Sequence, residues 1–211
     1  MTPFRLCLIR HGETDWNAER RVQGQIDIPL NAAGRAQATA TAAGLAGQRF
    51  DAVYSSDLAR AWQTALPIAA ALGLPLQAAP ALRERHFGQM QGLTNEEACQ
   101  RFPAVYAAHK ARDTGCDLEG GESLLRFAAR VTAALQGFAA AHAGQSLLLV
   151  AHGGVLDIAY RLATGRELAA PRDFPLPNAA LNWLEYRAGS WRLLAWGELG
   201  HLDAALDEVA G

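Results

Sequence analysis

A chain of 211 residues, half of them hydrophobic and 19% charged, is long enough for one sizeable core and has the composition of a soluble, enzyme-sized globule. The net charge of −2, with no block of like charges, gives no footprint for nucleic acid or an acidic membrane surface. No apolar run approaches the roughly 20 residues that span a bilayer, and Cys7, Cys99 and Cys116 are too few and too irregular for a disulfide framework or a zinc knuckle, so a reducing cytoplasm is the expected address.

The first element is an apolar run over residues 4–9, broken only by Arg5 and ending abruptly in Arg10-His11-Gly12. It reads as a buried strand whose carboxyl end delivers a cation, an imidazole and a flexible turn to one point. An alanine-rich helix over 31–47 follows, capped by Asn31. Residues 51–55 form a short buried strand, after which Asp57 is expected to cap a helix that runs to Leu72 and stops at Gly73. Residues 75–79 make a further strand.

Between residues 82 and 121 charge increases and β-branched residues thin out, with two short helical stretches. Thr94-Asn95-Glu96-Glu97 fits a capping box that opens the first of them. Gly120-Gly121 precede a helix over 123–141. Residues 146–151 are the most strand-like run of the chain, followed at once by His152-Gly153 and then a helix over 155–164. Alternating segments 181–186 and 191–196 read as a terminal hairpin. This order predicts an α/β fold: a single domain over 1–211, three layers α/β/α around a mostly parallel sheet, with residues from about 86 to 144 as a helical lid.

Three of the predicted strands end in residues suited to one anion site, and open α/β sheets bind ligands beyond the carboxyl ends of their strands. The first gives Arg10 and His11. The second gives Ser55-Ser56 and a helix with Arg60 in its first turn, and the third gives His152 at another helix start. Helix amino termini attract phosphate even without side chains. Gly12 and Gly153 are expected to let the backbone approach a ligand closely. Lys110 is the only lysine among 19 basic residues, so an arbitrary arginine carries little meaning in this chain; position is what singles out Arg10 and Arg60. Glu84 follows the strand at 75–79. Spacing alone leaves it open whether this carboxylate is a surface group or a proton carrier at the pocket rim. His86, His109, His142 and His201 show no ligand spacing and are assigned to surface or packing roles.

Together these residues resemble the histidine phosphatase superfamily, also called phosphoglycerate-mutase-like. The matches are Arg10-His11-Gly12-Glu13-Thr14 with Trp16-Asn17, then Gln23-Gly24, Asp27, Pro29-Leu30 and Gly34. Further on come Ser55-Ser56-Asp57-Leu58 with Arg60, the stretch 82–92, Gly121-Glu122-Ser123 and Ala151-His152-Gly153, in the family's order. The resemblance implies that His11 is the nucleophile and forms a phosphohistidine. It implies that Arg10, Arg60 and His152 hold the phosphoryl group, that Asn17, Gln23, Gly24 and Gly153 line its pocket, and that Glu84 donates and accepts the proton. It also makes the 86–144 insertion the lid that shapes substrate choice.

Rival chemistries have no motif here. No Cys-x5-Arg, Asp-x-Asp, Gly-x4-Gly-Lys or His-Glu-x-x-His occurs, and no metal or organic cofactor is expected. A non-catalytic module on the same fold would not need the full set His11, His152, Arg10, Arg60 and Glu84. Between the two activities of the family, hydrolysis of small phosphomonoesters is expected over a phosphoglycerate mutase dependent on 2,3-bisphosphoglycerate. Mutases that the chain resembles carry a lysine where Asn95 stands, an adjacent arginine pair absent between Gly92 and Gly121, and an asparagine where Gly154 stands. The lid is therefore expected to lack a second anion site. Arg85-His86 is mutase-like, although Phe87 lacks a tyrosine hydroxyl, and Gly200-His201-Leu202-Asp203 resembles proteins labelled mutases. Phe102 and Tyr106 allow an apolar patch in the lid. The expected partner is a small phosphorylated substrate, with no nucleic acid and no membrane, and a homodimer is left open.

Overall fold

Apolar runs over Phe4–Arg10 (β1) and Ser146–Ala151 (β4) lie side by side at the centre of a computed structural model that describes residues 2–202. Leu6, Leu8, Leu147, Leu149 and Ala151 enter one hydrophobic cluster, whereas Cys7, Ile9, Leu148 and Val150 enter another. Alternate side chains thus face opposite layers, and burial on both faces explains why these strands read as unbroken apolar runs. Burying each leucine contributes roughly 2 kcal/mol. Ala52–Ser55 (β2), Leu76–Ala78 (β3), Leu181–Arg187 (β5) and Ser190–Glu198 (β6) complete a six-stranded sheet in the order β3-β2-β4-β1-β5-β6. The first four neighbours are parallel, and the β5–β6 hairpin is antiparallel, so the sheet is mostly parallel as expected. Ala188 and Gly189, both with positive φ, make the two-residue hairpin turn.

The helices are Asp15–Ala18 (α1), Ala32–Gly44 (α2), Ala59–Leu72 (α3), Asn95–Arg101 (α4), Pro103–Lys110 (α5), Leu124–Ala141 (α6) and Gly153–Thr164 (α7). Residues of α2 and α3 pack on one face of the sheet, and residues of α6 and α7 pack on the other, which gives the three layers. No helix among the described residues is long and apolar enough to cross a membrane. Asn31 caps α2 and the Thr94 capping box opens α4, as their sequences predict, and Ser123 caps α6.

Three expectations need correction, and one short helix has no signal in the sequence. Asp57 does not cap α3; its carboxylate pairs with Arg83, and the free Ala59 N–H is taken by Asp27 from a separate loop (2.7 Å). Helix α7 starts at Gly153, with His152 at the cap position, two residues earlier than the apolar pattern indicates. The short α1, closed by a reciprocal Thr14–Asn17 capping box, has too few residues for a periodic signal. The lid is also shorter than residues 86–144, because α6 buries Phe127, Val131 and Leu135 in the sheet-side core. The segment before α6 has its own small core of Met90, Ala98, Val105 and Leu118.

Candidate active site

Strand register brings the motif residues together. Arg10 pairs with Ala151 and Ser55 with Val150, and the ladder continues one step further through His11 N–H to Ala151 O and Ser56 N–H to Val150 O, both 2.9 Å. His11, Ser56 and His152 therefore emerge side by side at the carboxyl edge of the sheet. The His11 and His152 rings lie 5.2 Å apart, centroid to centroid.

His11 is 3% exposed and held on three sides. Its carbonyl accepts the Asn178 side-chain N–H (2.8 Å), and the next residue, Gly12, donates its N–H to Thr64 Oγ1 (2.9 Å). Nδ1 of the ring lies 2.7 Å from the Gly12 carbonyl. A carbonyl can only accept, so Nδ1 carries the hydrogen and the Nε2 lone pair is free. Burial, then the charges of Arg60 and Arg10, hold this imidazole well below the usual histidine range. His152 is fully buried and is pushed down by burial, Arg60, His11 and Arg10. His152 Nε2 lies 2.8 Å from Ser56 Oγ, which also accepts the Leu58 N–H (3.4 Å). Nδ1 of His152 is buried with no protein partner.

The cations are equally fixed. Arg60 is 0% exposed, and its two terminal nitrogens donate to the carbonyls of Ile26 (3.0 Å) and Gly24 (2.7 Å). Burial lowers its pKa to about 10. Arg10 donates to the Leu176 carbonyl. In both arginines Nε is buried without a partner, and neither forms an ion pair among the described residues. Glu84 attracts both and Asp27 attracts Arg60, but neither makes a contact ion pair with them among the described residues, so this pair favours a bound anion.

Arg10, His11, Asn17, Gln23, Gly24, Arg60 and Glu84 line one cavity of ≈ 170 Å³. Every expected pocket residue is there except His152, which stands behind His11, and Gly153, which lines an adjoining cavity beside Arg10. The Gln23 Oε1 is buried and free, whereas Asn17 spends its Oδ1 on Thr14. Gly12 does not serve ligand approach as expected: a Cβ there would sit 2.5 Å from the Gly34 carbonyl, so its bareness serves packing on α2. Glu84 is clamped, with Oε1 accepting from Arg85 N–H (2.8 Å) and Oε2 from Gly154 N–H (2.9 Å). Arg130 supports it by donating to the carbonyls of Arg83 and Glu84. A Cβ on Gly154 would lie 2.1 Å from Glu84 Oε1, which gives the bare position a physical reason.

The sequence model of the histidine phosphatase superfamily (branch 1) matches residues 6–199. The chain belongs to that superfamily. It is 41% identical over 202 residues to phosphoglycerate mutase-like protein 4 of Arabidopsis thaliana, covering 94% of this chain and 86% of that one. It is 40% identical to the metal-independent phosphoserine phosphatase of the same plant, covering 94% and 83%. Among solved structures, Bacillus stearothermophilus YhfR superposes with a TM-score of 0.88 at 29% identity, covering 94% of this chain and 99% of that one. The superfamily and the phosphatase class expected from the motifs both agree with these relatives.

Further residues line this superfamily site, and of them His109, Arg112 and Arg172 belong to no motif. A second cavity of ≈ 340 Å³ shares Arg10, Glu84, Phe87 and His109 with the first, and adds Arg85, Arg112 and Arg172. The expectation that the cover lacks cations for a second anion is therefore wrong. These arginines come from separate segments, so no adjacent pair in the sequence marks them. His109, assigned to surface or packing, is on the wall of both cavities. His86, His142 and His201 do serve packing and turns through hydrogen bonds to Gly88, to Tyr54 and Gln145, and to Thr41 and Ala179. Asp203 lies outside the described residues. Among the described residues, no group of three or more His, Cys, Asp or Glu side chains is placed to hold a metal ion.

Proposed function

We propose that the chain hydrolyses small phosphomonoesters through a phosphohistidine on His11, without a metal or an organic cofactor. The observation that carries this is a neutral His11 with a free Nε2, beside the buried Arg60 and the partly buried Arg10, both without contact ion pairs among the described residues. Phosphoryl transfer needs chiefly positioning and preorganised positive charge, and Arg10 and Arg60 supply the charge beside His152.

In the first step Nε2 of His11 bonds to phosphorus as the ester P–O bond breaks. The departing oxygen takes the proton of the Glu84 carboxyl group. Positive charge grows on the imidazole, and the Gly12 carbonyl at Nδ1–H takes up part of it. In the second step the Glu84 carboxylate removes a proton from water, whose oxygen bonds to phosphorus as the N–P bond breaks. Inorganic phosphate leaves, and His11 and Glu84 return to their starting states. The two backbone N–H groups on Glu84 fix its direction and still leave each oxygen a lone pair.

The second cavity favours one other reading, a mutase using 2,3-bisphosphoglycerate, because its cations could steady a bisphosphate as it turns round. The readings separate on one assay. We expect phosphate release from a phosphomonoester panel that persists in EDTA and falls by roughly 10³-fold or more in His11→Ala. Conversion of 3- to 2-phosphoglycerate with little phosphate release would reject hydrolysis, and loss of activity in EDTA would reject the metal-free step. The same reading makes a small phosphorylated metabolite, not nucleic acid or membrane, the partner of a cytoplasmic enzyme.

A further inference from the structure

Sheet register places His11, but nothing of the kind places Glu84: residues 83–87 belong to no helix or strand. A proton carrier on such a stretch needs another restraint, because a misplacement of about 1 Å can cost roughly 10²-fold in rate. The restraint comes from α6, which is anchored in the core by Phe127, Val131 and Leu135. Arg130 on this helix has five N–H donors, and all five are engaged. Two of them grip the Glu122 carboxylate as a parallel fork, Nε to Oε1 at 2.9 Å and a terminal nitrogen to Oε2 at 2.8 Å. The other three reach the carbonyls of Ala81 (2.8 Å), Arg83 (3.0 Å) and Glu84 (3.3 Å), along the chain that leads into the proton carrier. Glu122 holds the far side of the same stretch. Its N–H donates to the His86 carbonyl (2.8 Å), and its carbonyl accepts the Arg85 Nε–H (2.7 Å). Gln25 adds one further donor to the Glu84 carbonyl (3.0 Å). Neither Arg130 nor Glu122 lines either cavity of the site, so any role they have is exercised through Glu84 and its neighbours.

We propose that Arg130, braced by Glu122, is a positioning residue for both proton transfers. It fixes the backbone that carries Glu84, so that the carboxyl group meets first the departing oxygen and then the attacking water. This rests on the phosphatase reading above, which gives Glu84 those two steps. Register does this work for residues at strand ends; here a side chain from a packed helix does it for a loop. The two N–H groups on the Glu84 carboxylate direct it only if the chain beneath them is fixed, since one of them, Arg85 N–H, belongs to the same stretch. Arg130→Lys keeps the positive charge but leaves three donors on one nitrogen, without the planar fork. It therefore separates geometry from charge.

The test uses two esters: glycerol 2-phosphate, whose alkoxide must be protonated as it leaves, and 2,4-dinitrophenyl phosphate, whose phenolate leaves without a proton. We expect Arg130→Lys to lower kcat/KM for glycerol 2-phosphate by about tenfold or more, and for the dinitrophenyl ester by less than about twofold, since kcat/KM stops at P–O cleavage. The second proton transfer still needs Glu84, so the dinitrophenyl ester should give a burst of phenolate and then slow turnover as phosphohistidine builds up. Glu122→Gln, which slackens the brace and keeps the carbonyl contacts, should show the same split at about threefold. In a Glu84→Gln background, Arg130→Lys should add less than about twofold on glycerol 2-phosphate, because its effect passes through the missing carboxyl group. Equal losses on the two esters in both variants, no loss on glycerol 2-phosphate, or a full additional loss beside Glu84→Gln would overturn the positioning role. Hydrolysis of either ester that survives His11→Ala would instead overturn the phosphatase reading, whatever Arg130 does.

Discussion

Arg10, His11, Ser56 and His152 stand at the ends of three neighbouring strands, each at or next to a ladder hydrogen bond. Arg85, His109, Arg112 and Arg172 come instead from a loop after β3, from α5, from the residues just past α5, and from the connection between α7 and β5. The floor of the site inherits its geometry from sheet register, so a few consecutive residues are enough to place it. The cover must bring four separate segments together by packing around its own small core and by the Arg112–Asp157 pair. A reaction centre built the first way tolerates little displacement, whereas a specificity surface built the second way can change by single substitutions.

The largest expected effect tests how exacting the floor is. Glu84→Gln removes the proton carrier and should lower kcat by about 10²–10⁴-fold. Gly154→Ala leaves that carboxylate in place chemically but pushes a Cβ to 2.1 Å from its Oε1 and 3.0 Å from the Phe127 ring, so part of the same loss should follow. Gly137→Ala is the control, since a Cβ there meets nothing within 4 Å and the site is an exposed position in α6. It should keep full activity and gain about 0.5–1 kcal/mol of stability. Full activity in Gly154→Ala would show that Glu84 needs no such exact seat.

That contrast also explains what could be read without coordinates. Leu8-Ile9-Arg10-His11 and Val150-Ala151-His152 are strand ends, and an unbroken apolar run announces both the strand and the place where it stops. Asn31 and the Thr94 box likewise act on N–H groups within three residues of themselves, so their sequences disclose them. Asp27 capping α3 from 32 residues away has no local signal, and Asp57, in the expected place, is drawn off by Arg83. Arg172 and His109 are illegible for the same reason: their role depends on which segments the cover brings together. The apolar stripe of α6 shows that the helix packs, but not on what, so the sequence does not separate it from the lid.

The cover can be challenged separately by acid. His109 is held neutral, with its pKa lowered from 6.5 to about 4 by burial and neighbouring cations. The unfolded chain protonates this ring near 6.5, so between 6.5 and 4 it binds more protons than the folded one. The contribution to stability is complete above pH 6.5 and lost as pH falls toward 4, amounting to roughly 3 kcal/mol at most. His11 and His152 are shifted in the same direction, so the wild type weakens on acidification for all three. Urea unfolding at pH 7 and pH 4.5 should show a smaller acid loss in His109→Gln than in the wild type. An identical loss in both proteins would mean that the cover adds nothing to the acid sensitivity of the floor.

The smallest effect returns to the helix that carries Arg60. Asp27 Oδ1 accepts the Ala59 N–H at 2.7 Å and satisfies an orphan donor at the start of α3. Removing a side-chain cap costs typically about 1 kcal/mol. Asp57 makes a two-point contact with Arg83, whose side chain is 42% exposed, and such surface pairs contribute about 0–1 kcal/mol. Asp27→Ala should therefore destabilise more than Asp57→Ala in chemical denaturation. It should also raise KM slightly, because the Asp27 loop includes Gly24 and Ile26, whose carbonyls hold the two terminal nitrogens of Arg60. If Asp57→Ala proves the more damaging, the local cap matters after all, and the loop that reaches over from Asp27 merely rests on a helix that starts without it.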